Sequence, residues 1–293
     1  MHEAVAKERL IGLVGDADGL IVGLERVDAS VIEAGPKLKF IGKPGAGVDN
    51  IDVQEATRRG ILVCNTAGSN AQAVADHTYA LILAVLRQMP FLDDLTRAGK
   101  GWDRWPPVIG GELWQKTLGI VGTGAIGRAV AHRARGFEMR ILGYDIAPDT
   151  AFARVVGLTY VSLQDLLGES DIVTVHVPLV PATEGLLGAK EFATMKKGAF
   201  FFNLARGGVV EEEALIEALR SHHLTGAGLD VFSAEPPPPD SPLFALDNVI
   251  VSPHVAGFSE EAILKSRMWL AEAARDALGG QVPRTLVNRA VLT

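Results

Sequence analysis

Short runs rich in Ile, Val and Leu recur along the chain at 19–22, 39–41, 61–64, 118–121, 140–144, 171–175, 199–203, 226–230 and 249–252. Continuous apolar runs of this length read as strands buried on both faces. Between most of them lie helix-patterned stretches, among them 125–135, 163–167 behind a cap at Ser162, and 211–221. This alternation predicts an α/β fold with a parallel sheet covered by helices. Two longer helical patterns divide the strands into groups. The first, 71–89, is apolar almost all round and is expected to be buried between larger bodies. The second, 260–278, has Ser259 as N-cap, Glu260 and Glu261 in its first turn and Gly279-Gly280 at its end. One helix leaves a small N-terminal domain and the other returns to it. The expected domains are therefore 1–83 with 257–293, and an inserted domain 84–256.

The strand expected at 118–121 runs into Gly122-Thr123-Gly124-Ala125-Ile126-Gly127 and then directly into a helix. A G-x-G-x-x-G in that context suits a dinucleotide: Gly122 makes the tight turn, Gly124 admits a pyrophosphate, and Gly127 permits close helix packing. The N–H groups of Ala125 and Ile126 stand at the positive end of the helix dipole. Taken alone the pattern also fits a plain strand-to-helix turn. The next strand ends in Asp145, where an acid accepts hydrogen bonds from an adenosine ribose and repels a 2′-phosphate. With no arginine following in "YDIAPDT", NAD(H) is the expected cofactor rather than NADP(H).

Ligands of open parallel sheets bind beyond the carboxyl ends of the strands. Three polar residues of the inserted domain stand just after strands: Arg206 in "FFFNLARGGVV", Glu235 in "GAGLDVFSAEP" and His254 in "NVIVSPHVAG". Each alone fits a structural role, as a cap, a solvated acid and a backbone-satisfied imidazole. Together they supply a planar fork for a carboxylate, a proton carrier near neutral pH and an anion beside it. Those groups suffice to reduce a 2-keto acid. His176 in "TVHVP" is expected in the cofactor cleft or the core, and no spacing among the histidines makes a metal site.

Composition narrows the partners. Of the 293 residues 48% are hydrophobic, and the net charge of -7 offers no general field for nucleic acid or an anionic membrane. A small molecule is the expected partner. Apolar stretches such as 80–86 fall short of the roughly 20 residues that span a bilayer, and "MHEAVAKERL" lacks a signal-peptide core, so the expected location is the cytoplasm. The single Cys64 reads as a buried thiol. The 71–89 helix and a loop carrying Trp102, Trp105 and Trp114 offer more apolar surface than one chain covers, which predicts a homodimer.

The segments "GKPGAGVDNID", "GIVGTGAIGRAV", "HVPLVPAT", "NLARGGVVEEEAL", "GAGLDVFSAEP" and "SPHVAG" together resemble the D-isomer-specific 2-hydroxyacid dehydrogenases, in the family's order and over nearly the whole chain. The resemblance implies a Rossmann-type doubly wound sheet inserted into a smaller flavodoxin-like domain, and an NAD-dependent interconversion of a 2-keto acid and its D-2-hydroxy acid. It gives Arg206 the substrate carboxylate, His254 the acid/base role and Glu235 the role of its partner. It puts Asp145 on the ribose, Asp230 near the nicotinamide carboxamide, and His176, Val177, Pro178 and Thr183 on the cofactor side. Lys43 and backbone groups of Ala46, Gly47 and Val48 fall near the substrate, Lys43 standing where phosphoglycerate dehydrogenases generally carry arginine. A strand, helix and second strand that usually precede the segment resembling "LIGLVGDADGLIVG" are absent, so the smaller domain reads as N-terminally truncated, with 19–22 as a new sheet edge. An NAD(H)-sensing binding protein resembling the C-terminal-binding corepressors is the alternative, and it needs a peptide-binding surface that the sequence does not advertise. A formate dehydrogenase is disfavoured, because that relative usually has glutamine where Glu235 stands.

Overall fold

The structure, a computed structural model, describes residues 5–102 and 108–293, so Trp105 and the first four residues lie outside it. The chain forms two compact units, Ala71–Gly257 being the larger and the flanking segments the smaller. The first crossing therefore falls at residues 70/71 and not at the expected 83/84.

In the smaller unit α1 (Lys7–Val14), β1 (Gly19–Ile21), α2 (Ala29–Glu33), β2 (Phe40–Lys43), α3 (Val53–Arg58) and β3 (Leu62–Asn65) alternate. The strands make a parallel sheet in the order β1-β2-β3. Asp28 caps α2 by accepting from the N–H groups of Ser30 and Val31, and Asp52 caps α3 through Glu55 N. β2 and β3 carry buried apolar stretches, with Phe40 and Ile41 and then Val63 and Cys64 out of water, whereas β1 has exposed residues at both ends. The expectation of burial on both faces fails at β1 because it is an edge strand. Cys64 is buried on β3, and burial pushes its thiol up to about 11, against a hydrogen bond to Thr285.

The larger unit begins with α4 (Ala71–Leu86) and α5 (Met89–Arg97), then winds through β4 (Thr117–Val121), α6 (Ala125–Ala134), β5 (Arg140–Tyr144), α7 (Thr150–Val156) and β6 (Leu158–Tyr160). It continues through α8 (Leu163–Glu169), β7 (Ile172–Val175), α9 (Ala189–Thr194), β8 (Ala199–Asn203), α10 (Glu212–Arg220), β9 (Leu224–Leu229) and β10 (Val249–Val251). All neighbours pair in parallel in the order β10-β9-β8-β7-β4-β5-β6. The winding reverses between β4 and β7, which is the switch point at which such sheets open a crevice. β10, at the far edge, is half exposed and does not match the expected two-sided burial.

The apolar 71–89 stretch is not one helix buried all round. Gln88 takes a left-handed conformation (φ 50°) that ends α4 and starts α5 at a new angle. One face of α4, including Val74, Leu81 and Val85, is buried, while Asp76 and Ala80 are exposed. It packs against α6 and against β9. A Cβ at Gly228 would stand 2.6 Å from the Phe202 ring and 3.1 Å from Leu81, so the bare backbone admits the helix. The chain returns to the smaller unit with α11 (Glu260–Leu278), capped by Ser259 Oγ as the sequence predicts. No helix among the described residues is long and apolar enough to cross a membrane.

Candidate active site

The glycine turn between β4 and α6 sits at the switch point. Gly122 is left-handed (φ 95°), and a Cβ on it would press on the backbone of His176 at the end of β7. A Cβ on Gly127 would fall on the carbonyl of Gly122, so α6 packs as tightly as this turn allows. Gly124 caps α6 with no side chain on the first-turn N–H groups, and the space where its Cβ would be is open. The crowded and open positions match what a pyrophosphate at a helix N-terminus needs.

Asp145 lies beside this turn at the end of β5. One carboxylate oxygen accepts from Thr123 N (2.7 Å) and Thr123 Oγ1 (3.0 Å), the other from Ala147 N (2.9 Å). Partial burial raises its affinity for a proton, but these donors and the nearby Arg128 outweigh that and hold the carboxyl below its ordinary range. It is therefore an anion at neutral pH. Sequence reasoning missed its neighbours: Ile146, 94% exposed, and Arg128 and Tyr160, which form a network around it. The position of Arg128 one residue past Gly127, on the same turn, was the available signal.

His176 lies buried at the switch point. Its Nε2 meets Thr174 Oγ1 at 3.0 Å, and Nδ1 has no partner. Burial alone pulls the imidazole down to about 3, so it is neutral at neutral pH. A buried orphan nitrogen bordering the glycine turn suits a ligand group or water there. Val177 follows it against Gly122, and Thr183 Oγ1 donates to Pro178 O, which closes the 178–183 turn.

Arg206, Glu235 and His254 follow β8, β9 and β10. His254 Nδ1 lies 2.7 Å from Glu235 Oε2, and Glu235 Oε1 accepts from Phe232 N. Burial raises the affinity of Glu235 for a proton, while His254, the Phe232 N–H and Arg206 together hold it below the ordinary carboxylate range. The guanidinium of Arg206 is oriented by an Nη1 bond to Ala205 O at 2.8 Å. A Cβ on Gly207 would fall on the Phe232–Ser233 peptide, so the Arg206 turn lies directly on the loop that leads to Glu235. The three residues belong to one packed cluster of backbone.

Asp230 organises that cluster. Its carboxylate, 1% exposed, accepts from Ser252 Oγ (2.6 Å), Val255 N and Ala256 N (both 2.9 Å). Its main-chain carbonyl accepts from His254 N. His77 of α4 reaches Ser252 Oγ with Nε2 at 3.0 Å and was not singled out by sequence reasoning for this site. In the smaller unit Lys43 ends β2, and Ala46, Gly47 and Val48 lie in the loop after it. That loop is pinned by Asn65 Nδ2 on Ala46 O and by Thr66 Oγ1 on Gly45 N.

The larger unit thus has the fold and phosphate turn of a dinucleotide-binding protein. The sequence profile of the D-isomer specific 2-hydroxyacid dehydrogenase NAD binding domain matches residues 79–256. The chain is 43% identical to glyoxylate reductase of Korarchaeum cryptofilum, over 98% of this chain and 87% of that one. It is 42% identical to D-3-phosphoglycerate dehydrogenase of Archaeoglobus fulgidus over 97% of its own length, and spans about half (54%) of that relative. D-lactate dehydrogenase of Aquifex aeolicus, solved with NAD and lactic acid, superposes with a TM-score of 0.87 at 28% identity, covering 95% of this chain and 89% of that one. The chain belongs to the D-isomer specific 2-hydroxyacid dehydrogenase family. It is an NAD-dependent oxidoreductase acting on 2-hydroxy acids, and the resemblance read from its sequence motifs holds.

The buried neutral His176 makes stability depend on pH. Unfolding restores its ordinary value near 6.5, so the unfolded chain binds a proton that the folded chain refuses. Stability falls as pH drops below about 6.5 and stops falling near 3. At pH 5 the loss from this residue is about 2 kcal/mol. Urea unfolding at pH 7 and pH 5 is expected to show a smaller difference for His176→Asn than for the wild type. Equal differences would remove His176 as the cause.

Proposed function

We propose that the chain reduces a short 2-keto acid to the D-2-hydroxy acid with His254 as proton donor, Glu235 as its partner and Arg206 as the anchor of the substrate carboxylate. The observation that carries this is the 2.7 Å pair between His254 Nδ1 and Glu235 Oε2 on a loop packed against the Arg206 turn. With Nδ1 donating to the carboxylate, Nε2 carries the proton exchanged with substrate. NAD, held by the glycine turn and Asp145, supplies the hydride acceptor in oxidation and, reduced, the hydride donor in reduction. In reduction His254 gives its proton to the ketone oxygen as the carbon gains hydride, and Glu235 stabilises the imidazolium before transfer. Arg206 pairs with the carboxylate through its fork and fixes which face of the ketone is presented. In oxidation His254 takes the hydroxyl proton.

Lys43 and the Ala46, Gly47 and Val48 backbone keep the substrate role that the family pattern gives them, and His176, Val177, Pro178, Thr183 and Asp230 the cofactor role. Asp230 contributes at least by shaping the His254 turn. The preferred cofactor is NAD(H), because an ionised Asp145 would face a 2′-phosphate with like charge. The active form is a homodimer in the cytoplasm. Support for the dimer comes from α5, none of whose side chains is buried, and from Trp102 (80% exposed) and Ile109 (85% exposed) beyond it.

His254→Ala is expected to lower turnover by about 10²-fold or more with NADH affinity nearly intact, since a proton donor acts in the transition state. Glu235→Gln removes the anion that favours imidazolium, so the reduction profile moves to lower pH, with activity partly recovered in acid. Full turnover in His254→Ala, or an unmoved profile in a folded Glu235→Gln, sinks the assignment. Catalytic efficiency with NADH is expected to exceed that with NADPH, and a ratio of one or less contradicts the role of Asp145. Light scattering at micromolar concentration is expected to give twice the 31.1 kDa chain mass, and Phe91→Asp on α5 to lower it. A monomeric wild type overturns the dimer.

A further inference from the structure

The ribose-facing corner holds a second acid that the cofactor reading leaves without a part. Asp149 caps α7, with Oδ1 accepting from Phe152 N at 2.9 Å. Its Oδ2 lies 2.9 Å from Arg128 Nη1, and Arg128 Nε reaches Thr123 O at 3.2 Å. The guanidinium also lies 4.8 Å from the centroid of the Phe152 ring, so its plane is held on three sides. Tyr160 joins the two acids. Its hydroxyl accepts from Asp149 N (3.1 Å) and donates to Thr123 Oγ1 (2.8 Å), which in turn donates to Asp145. The direction is fixed, because Thr123 spends its one hydroxyl proton on the carboxylate.

Two carboxylates and one guanidinium leave this corner with one net negative charge. Arginine is the side chain best shaped to take a phosphate bidentately, and this one already stands beside the ribose-binding acid. Loss of Asp145 alone would leave Arg128 neutralised and tethered by Asp149. Loss of Asp149 alone would leave Asp145 to repel the phosphate and to attract the freed cation. Either change by itself therefore yields only part of what the corner could give to a 2′-phosphate.

We propose that Asp149 is a specificity-determining residue, a latch that withholds Arg128 from the 2′ position, so that exclusion of NADP(H) is shared between Asp145 and Asp149 and is cooperative. The proposal rests on the placement of the ribose at Asp145. Tyr160 is a positioning residue in it, since its hydroxyl sets the spacing of the two acids through Thr123.

Binding tests this without turnover. Dissociation constants of NADH, NADPH and adenosine 2′,5′-bisphosphate are measured by titration calorimetry on the wild type, Asp145→Asn, Asp149→Asn and the double variant. Asparagine keeps one acceptor oxygen and remains a good N-cap, so α7 stays capped. Asp149→Ser serves as a second capping variant should Asp149→Asn unfold. Each single change is expected to strengthen NADPH binding by about 10-fold or less, and the double variant by at least about 10-fold more than the product of the two. Adenosine 2′,5′-bisphosphate follows the same order. Arg128→Leu in the double variant is expected to abolish the excess.

A double variant whose gain equals the product of the single gains overturns the latch, as does an excess that survives Arg128→Leu. Both outcomes leave the ribose reading standing if the wild type prefers NADH. A wild type that binds NADPH as tightly as NADH overturns the ribose reading, and the latch with it.

Discussion

The reactive end of the larger unit depends on a buried carboxylate. Asp230 lies just past β9 with its side chain out of contact with water, and a buried carboxyl persists only where donors surround it. The donors here are Ser252 Oγ and the N–H groups of Val255 and Ala256, all on the turn after β10. The proposed proton carrier sits in the middle of that turn. His254 is left-handed (φ 52°), a conformation that costs a non-glycine residue free energy and persists where its surroundings impose it. The three bonds to Asp230 flank it, and a fourth joins its own N–H to the Asp230 carbonyl. The imidazole direction is thus set before Glu235 touches it, and the 2.7 Å bond to Glu235 then selects the tautomer.

The same unit fixes its cofactor turn by a different means, the absence of side chains. At Gly122 and Gly127 a single methyl group would meet backbone, so the strand, the turn and α6 sit at contact distance. Gly207 does likewise between the Arg206 turn and the Phe232–Ser233 peptide. Backbone packed on backbone has few soft degrees of freedom. Positions that must hold to a fraction of an ångström are built this way, and side chains with rotamer freedom are left to meet the ligands.

Much of this was legible beforehand, and for physical reasons. Strands buried on both faces tend to be continuously apolar, which exposed β4, β7 and β8 in the sequence, and the glycine pattern became specific once the acid Asp145 stood at the end of the next strand. The trio stood out only jointly, because each of the three alone fits a structural role and together they supply a set of groups for one reaction. Edges were harder. β6 is three residues long and its Thr159 is exposed, so nothing in "LTY" separates it from a loop, yet it carries Tyr160. The apolar run through 71–89 hid a break because the left-handed residue there is Gln88, which announces no turn. Arg128 and Asp149 lie 21 residues apart, and no local pattern pairs two charges that only the fold brings to 2.9 Å.

That pair and the catalytic pair use the same interaction to opposite ends. In both, a carboxylate binds a nitrogen-rich side chain at the mouth of the sheet. Imidazole has two nitrogens on opposite sides of a rigid ring, so a carboxylate on Nδ1 leaves Nε2 aimed away from the contact. Guanidinium presents its donors along one plane, so a carboxylate on Nη1 and a carbonyl on Nε each take one member of the two forks with which it would grip a phosphate. The first contact prepares its nitrogen for chemistry and the second withdraws its cation from binding. What decides between them is the geometry of the basic side chain, because the acid partner is a carboxylate in both.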